Sequence, residues 1–255
     1  MTTVVAGSVA GPVAPHRPAT TVLLHLVPGA LGLLGYLLVL PVTEALGLPS
    51  VAALATVGLI VGPAVQVGAL RMRRHRRPLE PVIAYRARLS VPRTLAWATL
   101  EIVLAGAAFV LMAPLTRALQ TYLFAGWPDA WEIRLGTNGQ YGDSALLVTA
   151  ALLLLGTVIV APVVEELYFR GYLLPRMPQR LGRWRVPTHV VLFAAYHLWS
   201  PWLIPTRALA ILPLAYIAVR TRDVRIGVVT HVVLNATDLV AILLYLQAAP
   251  LNGRG

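Results

Sequence analysis

Apolar residues gather in seven long stretches, at about 21–43, 50–70, 94–117, 144–166, 186–203, 207–220 and 226–247, with polar residues concentrated between them. A helix rises about 1.5 Å per residue, so about 20 residues cross the hydrocarbon of a bilayer. The pattern predicts an all-α fold: a polytopic transmembrane helical bundle of about seven spans, forming one unit over residues 21–247. The fifth and sixth spans are the weakest, because Pro201, Pro205 and Pro213 fall in or between them. Such segments cross where they pack inside protein rather than against lipid. Residues 1–20 have no helical period and are rich in Gly, Pro, Ala and Thr. They are expected to form a flexible cytoplasmic tail, and the apolar stretch that follows is too long for the core of a secretory signal.

Composition agrees with the pattern. Of 255 residues, 58% are hydrophobic and 12% charged, and mean hydropathy is +0.73. An ordinary soluble domain carries about a quarter charged residues, so no second, soluble domain is expected. The net charge of +11 comes from 21 basic residues, all arginine. Seventeen of them fall on one side of the seven-span scheme: Arg17, the eight between spans two and three including RMRRHRR at 71–77, the five after span four, and the three after span six. Cytoplasmic loops are enriched in basic residues, so that side is assigned to the cytoplasm, with the N-terminus inside. The expected location is a multi-pass membrane protein of a bacterial plasma membrane, with the lipid bilayer as a partner and no nucleic acid. The 120–143 loop has one arginine, three acids and several aromatic residues, which suits the outer face. The chain has no cysteine, which excludes disulfides, thiolate nucleophiles and Cys-ligated zinc. His, Asp, Glu, Ser and Thr are left to carry chemistry.

Ionisable side chains inside spans are costly, by roughly 2.5–3.5 kcal/mol on insertion scales, and usually face the bundle interior. Here they are His25, Glu101, Glu165, Glu166, Arg170, His189, His197, His231 and Asp238, accompanied by Asn235. Glu166 and Arg170 are four apart with the acid first, the favoured order for a helical ion pair. Glu165 points about 100° away and gains no partner from its own helix. Glu166 is therefore expected to fix Arg170, leaving Glu165 as a desolvated carboxylate suited to act as a general base for water. On span five, Phe193 and His197 share a face; on span seven, His231 and Asn235 share one that Asp238 continues. Donors four apart can converge on one oxygen, as in an oxyanion hole. Glu101, His25 and His189 lack such a pattern and are expected to make interhelical hydrogen bonds or sit at the interface.

Three ordered motifs, EELYFR at 165–170 followed by Gly171, FAAYH at 193–197 and HVVLN at 231–235, resemble those of the CPBP family. These are intramembrane proteases related to the CAAX-processing endopeptidase and to bacteriocin-processing and immunity proteins. The resemblance covers roughly 144–240, the expected protease-like core. It implies an intramembrane endopeptidase that hydrolyses a peptide bond in a cytoplasm-facing cavity, acting on a peptide or protein tail near the membrane. It also implies roles: Glu165 activates water with help from His197, His231 and Asn235 hold the oxyanion, and Glu166 with Arg170 organises the motif helix. By resemblance the enzyme is glutamate-dependent, with no cofactor required. The alternative is a zinc site of Glu165, His197 and His231, although the HExxH signature is missing. Two rival readings are a non-enzymatic immunity or scaffold protein that retains the motifs, and a proton-coupled transporter using Glu165, Glu166 and Asp238. The second is disfavoured because no inverted repeat is visible.

Overall fold

The structure is a computed structural model and describes residues 13–74 and 89–248. Residues 1–12 of the tail, and residues 75–88 of the arginine-rich connection with Arg76, Arg77, Arg86 and Arg88, lie outside the described residues. Among the described residues there are seven helices and no strand: α1 (Pro18–Ala45), α2 (Val51–Met72), α3 (Val91–Leu123), α4 (Asp143–Arg176), α5 (Arg185–Tyr196), α6 (Pro201–Thr221) and α7 (Arg225–Gln247). All except α5 are long and apolar enough to cross a membrane. The protein is an integral, multi-pass helical bundle.

The most extensive packings link the helices in a closed circuit: α1 lies against α2 and α5, α5 against α6, α6 against α3, α3 against α7, α7 against α4, and α4 against α2. Leu38, Val110, Leu111, Leu147 and Leu244 point outward from this ring, as side chains facing hydrocarbon should. Phe124, Trp127, Trp131 and Trp202 form a chain of edge-on ring contacts near the 120–143 loop. Such aromatic clusters are typical of the membrane interface.

The structure corrects the sequence-based boundaries in three places. The fourth span does not end at 166; its helix runs ten residues further, to Arg176. Tyr168, Phe169, Tyr172, Leu173 and Leu174 make that extension almost fully buried, so it continues inside protein and not in water. The fifth span is not one helix over 186–203. It stops at Tyr196, and Ser200 adopts a φ of −150° and a ψ of 64°, as a residue before proline is pushed away from helical geometry. The tail is also shorter than expected. His16 is buried, its ring packs on Tyr172, and its backbone N–H donates to the Arg176 carbonyl at 2.8 Å, supplying one of the donors that carbonyls at a helix end lack.

Close approach of α1 to α5 depends on Gly29. A Cβ there would overlap the backbone carbonyl of Tyr196. The end of α5, and with it the Tyr196–His197 pair, is thus set directly against α1.

Candidate active site

The extension of α4 decides whether the polar sets can meet. Glu165 lies eleven residues before the end of α4, which at 1.5 Å per residue is about 17 Å along the helix. His197, directly after α5, is about 18 Å from the start of that helix, and Asn235 about 15 Å from the start of α7. The three positions therefore lie at comparable distances along their helices. Glu165, Glu166, Arg170, His197, His231, Asn235 and Asp238 all line one cavity of about 580 Å³.

Local backbone chemistry shapes the α4 wall. Residues Leu154–Val160 and Glu166–Leu173 have the wide, five-residue turns of a π-helix, a form found often at functional sites. The Ala161 N–H reaches back to the Gly156 carbonyl. The next donor in that register would serve Thr157, but residue 162 is proline and has no N–H. Asn235 takes its place from α7, donating Nδ2–H to the Thr157 carbonyl at 2.7 Å. One amide hydrogen is thereby committed to structure, and the second is left for the cavity.

The two glutamates have separate surroundings. Glu166 is fully buried; its Oε1 lies 3.1 Å from Arg170 Nη1 and accepts a hydrogen bond from His231 Nδ1 at 3.2 Å. The expected helical ion pair is present, and His231 is joined to it. The Arg170 guanidinium also lies 3.9 Å from the centre of the Phe193 ring, a cation–π geometry that a buried site strengthens. Glu165 sits apart from this cluster, buried, with Oε1 accepting from the Tyr196 hydroxyl at 3.3 Å. The ordinary alternative of a helix end running into water does not describe these carboxylates.

His197 caps α5, and its Nδ1 donates to the Phe193 carbonyl at 3.2 Å. A carbonyl can only accept, so in the neutral ring Nε2 carries the lone pair. His231 is arranged alike, with Nδ1 turned to Glu166. Each imidazole thus has its second nitrogen uncommitted. Among the described residues no group of three or more His, Asp or Glu side chains is gathered closely enough to hold a metal ion. Glu165, His197 and His231, the residues of the two-His, one-carboxylate alternative, line the same cavity without being drawn together into such a group.

Other residues enter the site without having been picked out by the motifs. Glu101, expected to be a bystander, is buried and lines the same cavity. Tyr196, Gln66 and Arg207 line it too; Arg207 Nη1 donates to Ser200 Oγ at 2.8 Å. Gln66 had a signal, an amide within an apolar span, and Tyr196 had one in its place beside His197. His25 and His189 make the interhelical hydrogen bond expected of them: His25 Nδ1 donates to the Thr21 carbonyl at 2.7 Å, so Nε2 accepts from His189 Nδ1 at 3.0 Å.

Compared with known protein families, residues 147–237 match the one described as Type II CAAX prenyl endopeptidase Rce1-like. All three motifs fall within the matched segment. No curated protein and no solved structure matches the chain.

Proposed function

We propose that this chain, which is similar over residues 147–237 to the family described as Type II CAAX prenyl endopeptidase Rce1-like, hydrolyses a peptide bond with a water activated by Glu165. One observation carries the reading: a buried carboxylate, separate from the Glu166–Arg170–His231 cluster, shares a cavity with two imidazoles and a carboxamide.

In this mechanism Glu165 takes a proton from water as the water oxygen attacks the carbonyl carbon. His197 Nε2 accepts from the same water and directs it. The carbonyl oxygen gains negative charge opposite the free amide hydrogen of Asn235 and opposite His231, which donates from Nε2 in the form that carries a proton on both ring nitrogens, Nδ1–H staying on Glu166. Collapse breaks the C–N bond, and the proton on Glu165 passes to the leaving amine. Atoms and charge balance, with one water consumed. Glu166 neutralises Arg170 and holds His231 by Nδ1, so the ring faces the reacting oxygen. The substrate in this reading is a peptide or protein tail that reaches the cavity from the membrane surface, and the arginine distribution supports an entrance on the cytoplasmic side.

The test is hydrolysis of tail peptides by the purified protein in lipid. Wild type should release two fragments, and Glu165→Gln should release none while keeping its thermal transition. Turnover retained in that variant, or a wild type that binds peptides without cutting them, would replace the protease reading with a binding role.

A further inference from the structure

A carboxylate that serves as base must be held in one orientation and kept unprotonated. Two residues outside the three motifs are placed to do both for Glu165. Tyr196, the last residue of α5, donates its hydroxyl to Glu165 Oε1 at 3.3 Å, and Gln66 of α2 donates Nε2–H to the Tyr196 hydroxyl oxygen at 3.4 Å. Resting on the reading of Glu165 as the water-activating base, we infer that Tyr196, oriented by Gln66, is a positioning residue that sets both the direction and the basicity of the Glu165 carboxylate.

The direction of the relay follows from proton counting. A tyrosine hydroxyl has a single hydrogen. With the Gln66 amide donating into its oxygen, that hydrogen is left for Glu165. Gln66, Tyr196 and Glu165 are 1%, 5% and 9% exposed, so bulk water does not compete for these bonds. The Tyr196 ring is fixed by Phe169 at 5.1 Å, His197 at 4.8 Å and Trp199 at 6.0 Å between ring centroids, and Gly29 holds its backbone against α1. Occupying Oε1 in this way leaves Oε2 for the water. The bond to Glu165 is long for an O–H···O contact, a feature common in free enzymes whose catalytic hydrogen bonds tighten on the reaction path. A donor hydrogen bond favours the charged form of a carboxylate, and Tyr196 supplies that donor to Glu165, whose other ionisable neighbours are Glu166, Arg170 and His231. Gln66 lies outside the segment 147–237 that carries the family match. The first half of the chain therefore contributes to the chemistry as well as to the wall.

Tyr196→Phe removes the donor and keeps the ring. Two readouts are needed: kcat against pH on a cleaved peptide, and the protonation midpoint of Glu165 by pH-difference infrared spectroscopy in lipid vesicles, with its band identified by loss in Glu165→Gln. The midpoint and the acid limb of kcat should both move up by about one unit, the equivalent of a tenfold change in the ionisation equilibrium. Below the limb kcat should fall about tenfold, with a smaller change on the plateau. Gln66→Leu should shift both in the same direction by less. An unmoved midpoint in Tyr196→Phe, or an even loss of kcat at every pH, overturns the inference. If wild type cuts no peptide and the midpoint still moves, the coupling stands and the protease reading fails.

Discussion

Arg170 and His231 meet on one oxygen, Oε1 of Glu166, at 3.1 Å and 3.2 Å. The first comes from one turn along α4 and the second from α7, so a single buried carboxylate ties the first motif to the third. Glu166→Gln removes the charge and leaves the guanidinium buried without its partner, a change that costs about 3–5 kcal/mol when a buried pair is broken. Thermal unfolding in detergent should show the loss. The double variant Glu166→Gln, Arg170→Met should recover part of it, and neither protein should hydrolyse peptide at the wild-type rate.

Gly227 makes room for this carboxylate. A Cβ at that position would overlap Glu166 Oε2, and Oε1 is already committed to two partners. Gly227→Ala should lower both activity and melting temperature, whereas Gly106→Ala, in open space on the same cavity, should leave the melting temperature unchanged. Equal behaviour of the two variants would contradict the tight fit.

Asn235 has two duties, and substitutions should separate them. Asn235→Ala leaves the Thr157 carbonyl without a donor, a loss of about 1–3 kcal/mol for a buried unsatisfied group. Asn235→Asp is expected to unfold more readily still, since it sets an acceptor against an acceptor. Both should lose activity by more than their stability change explains, as measured by kcat on the folded fraction.

Between α6 and α7, outside the spans, Asp223 accepts from the backbone N–H of Arg225 at 3.0 Å and from its side-chain Nε at 2.8 Å. Burial pushes the Asp223 carboxyl up, but the Arg225 bonds outweigh it and hold the group below its ordinary range. A carboxyl lowered on folding stabilises the protein above the unfolded value, about 3.9, and loses that contribution as pH falls toward the folded value. Melting temperatures taken between pH 6 and pH 3 should therefore fall more steeply for wild type than for Asp223→Asn.

The proposed mechanism routes no step through a metal, so hydrolysis should persist in protein dialysed against a chelator and shown by elemental analysis to be metal-free. Activity lost on dialysis and restored by added zinc would require a rearrangement of Glu165, His197 and His231.

Much of the site can be read from spacing, because its key pairs are local to one helix. The four-residue interval from Glu166 to Arg170 fixes a contact that needs no knowledge of other helices, and the interval from His231 to Asn235 fixes a shared face. The end of α5 is harder to read: residues 186–203 are mainly apolar with no charged residue to mark a boundary, and the break at His197 depends on Pro201 acting through Ser200. The length of α4 is hidden for a different reason. Tyr168, Phe169 and Tyr172 look like an interfacial belt in sequence and become core because α1 and α5 cover them. Gln66, Tyr196 and Glu101 are single polar residues on separate helices, and their meeting is a property of the closed circuit that no one segment records.

The twelve residues of α5 rise about 18 Å, well short of a hydrocarbon layer about 30 Å thick. The chain must then reverse at 197–200 at a depth where oil would leave its peptide groups unsolvated. His197 answers the Phe193 carbonyl and Arg207 answers Ser200, but a reversal at that depth also favours moisture around it. Under the proposed hydrolysis, the interruption that a truncated span imposes on the membrane is where the reaction's reagent would enter the fat.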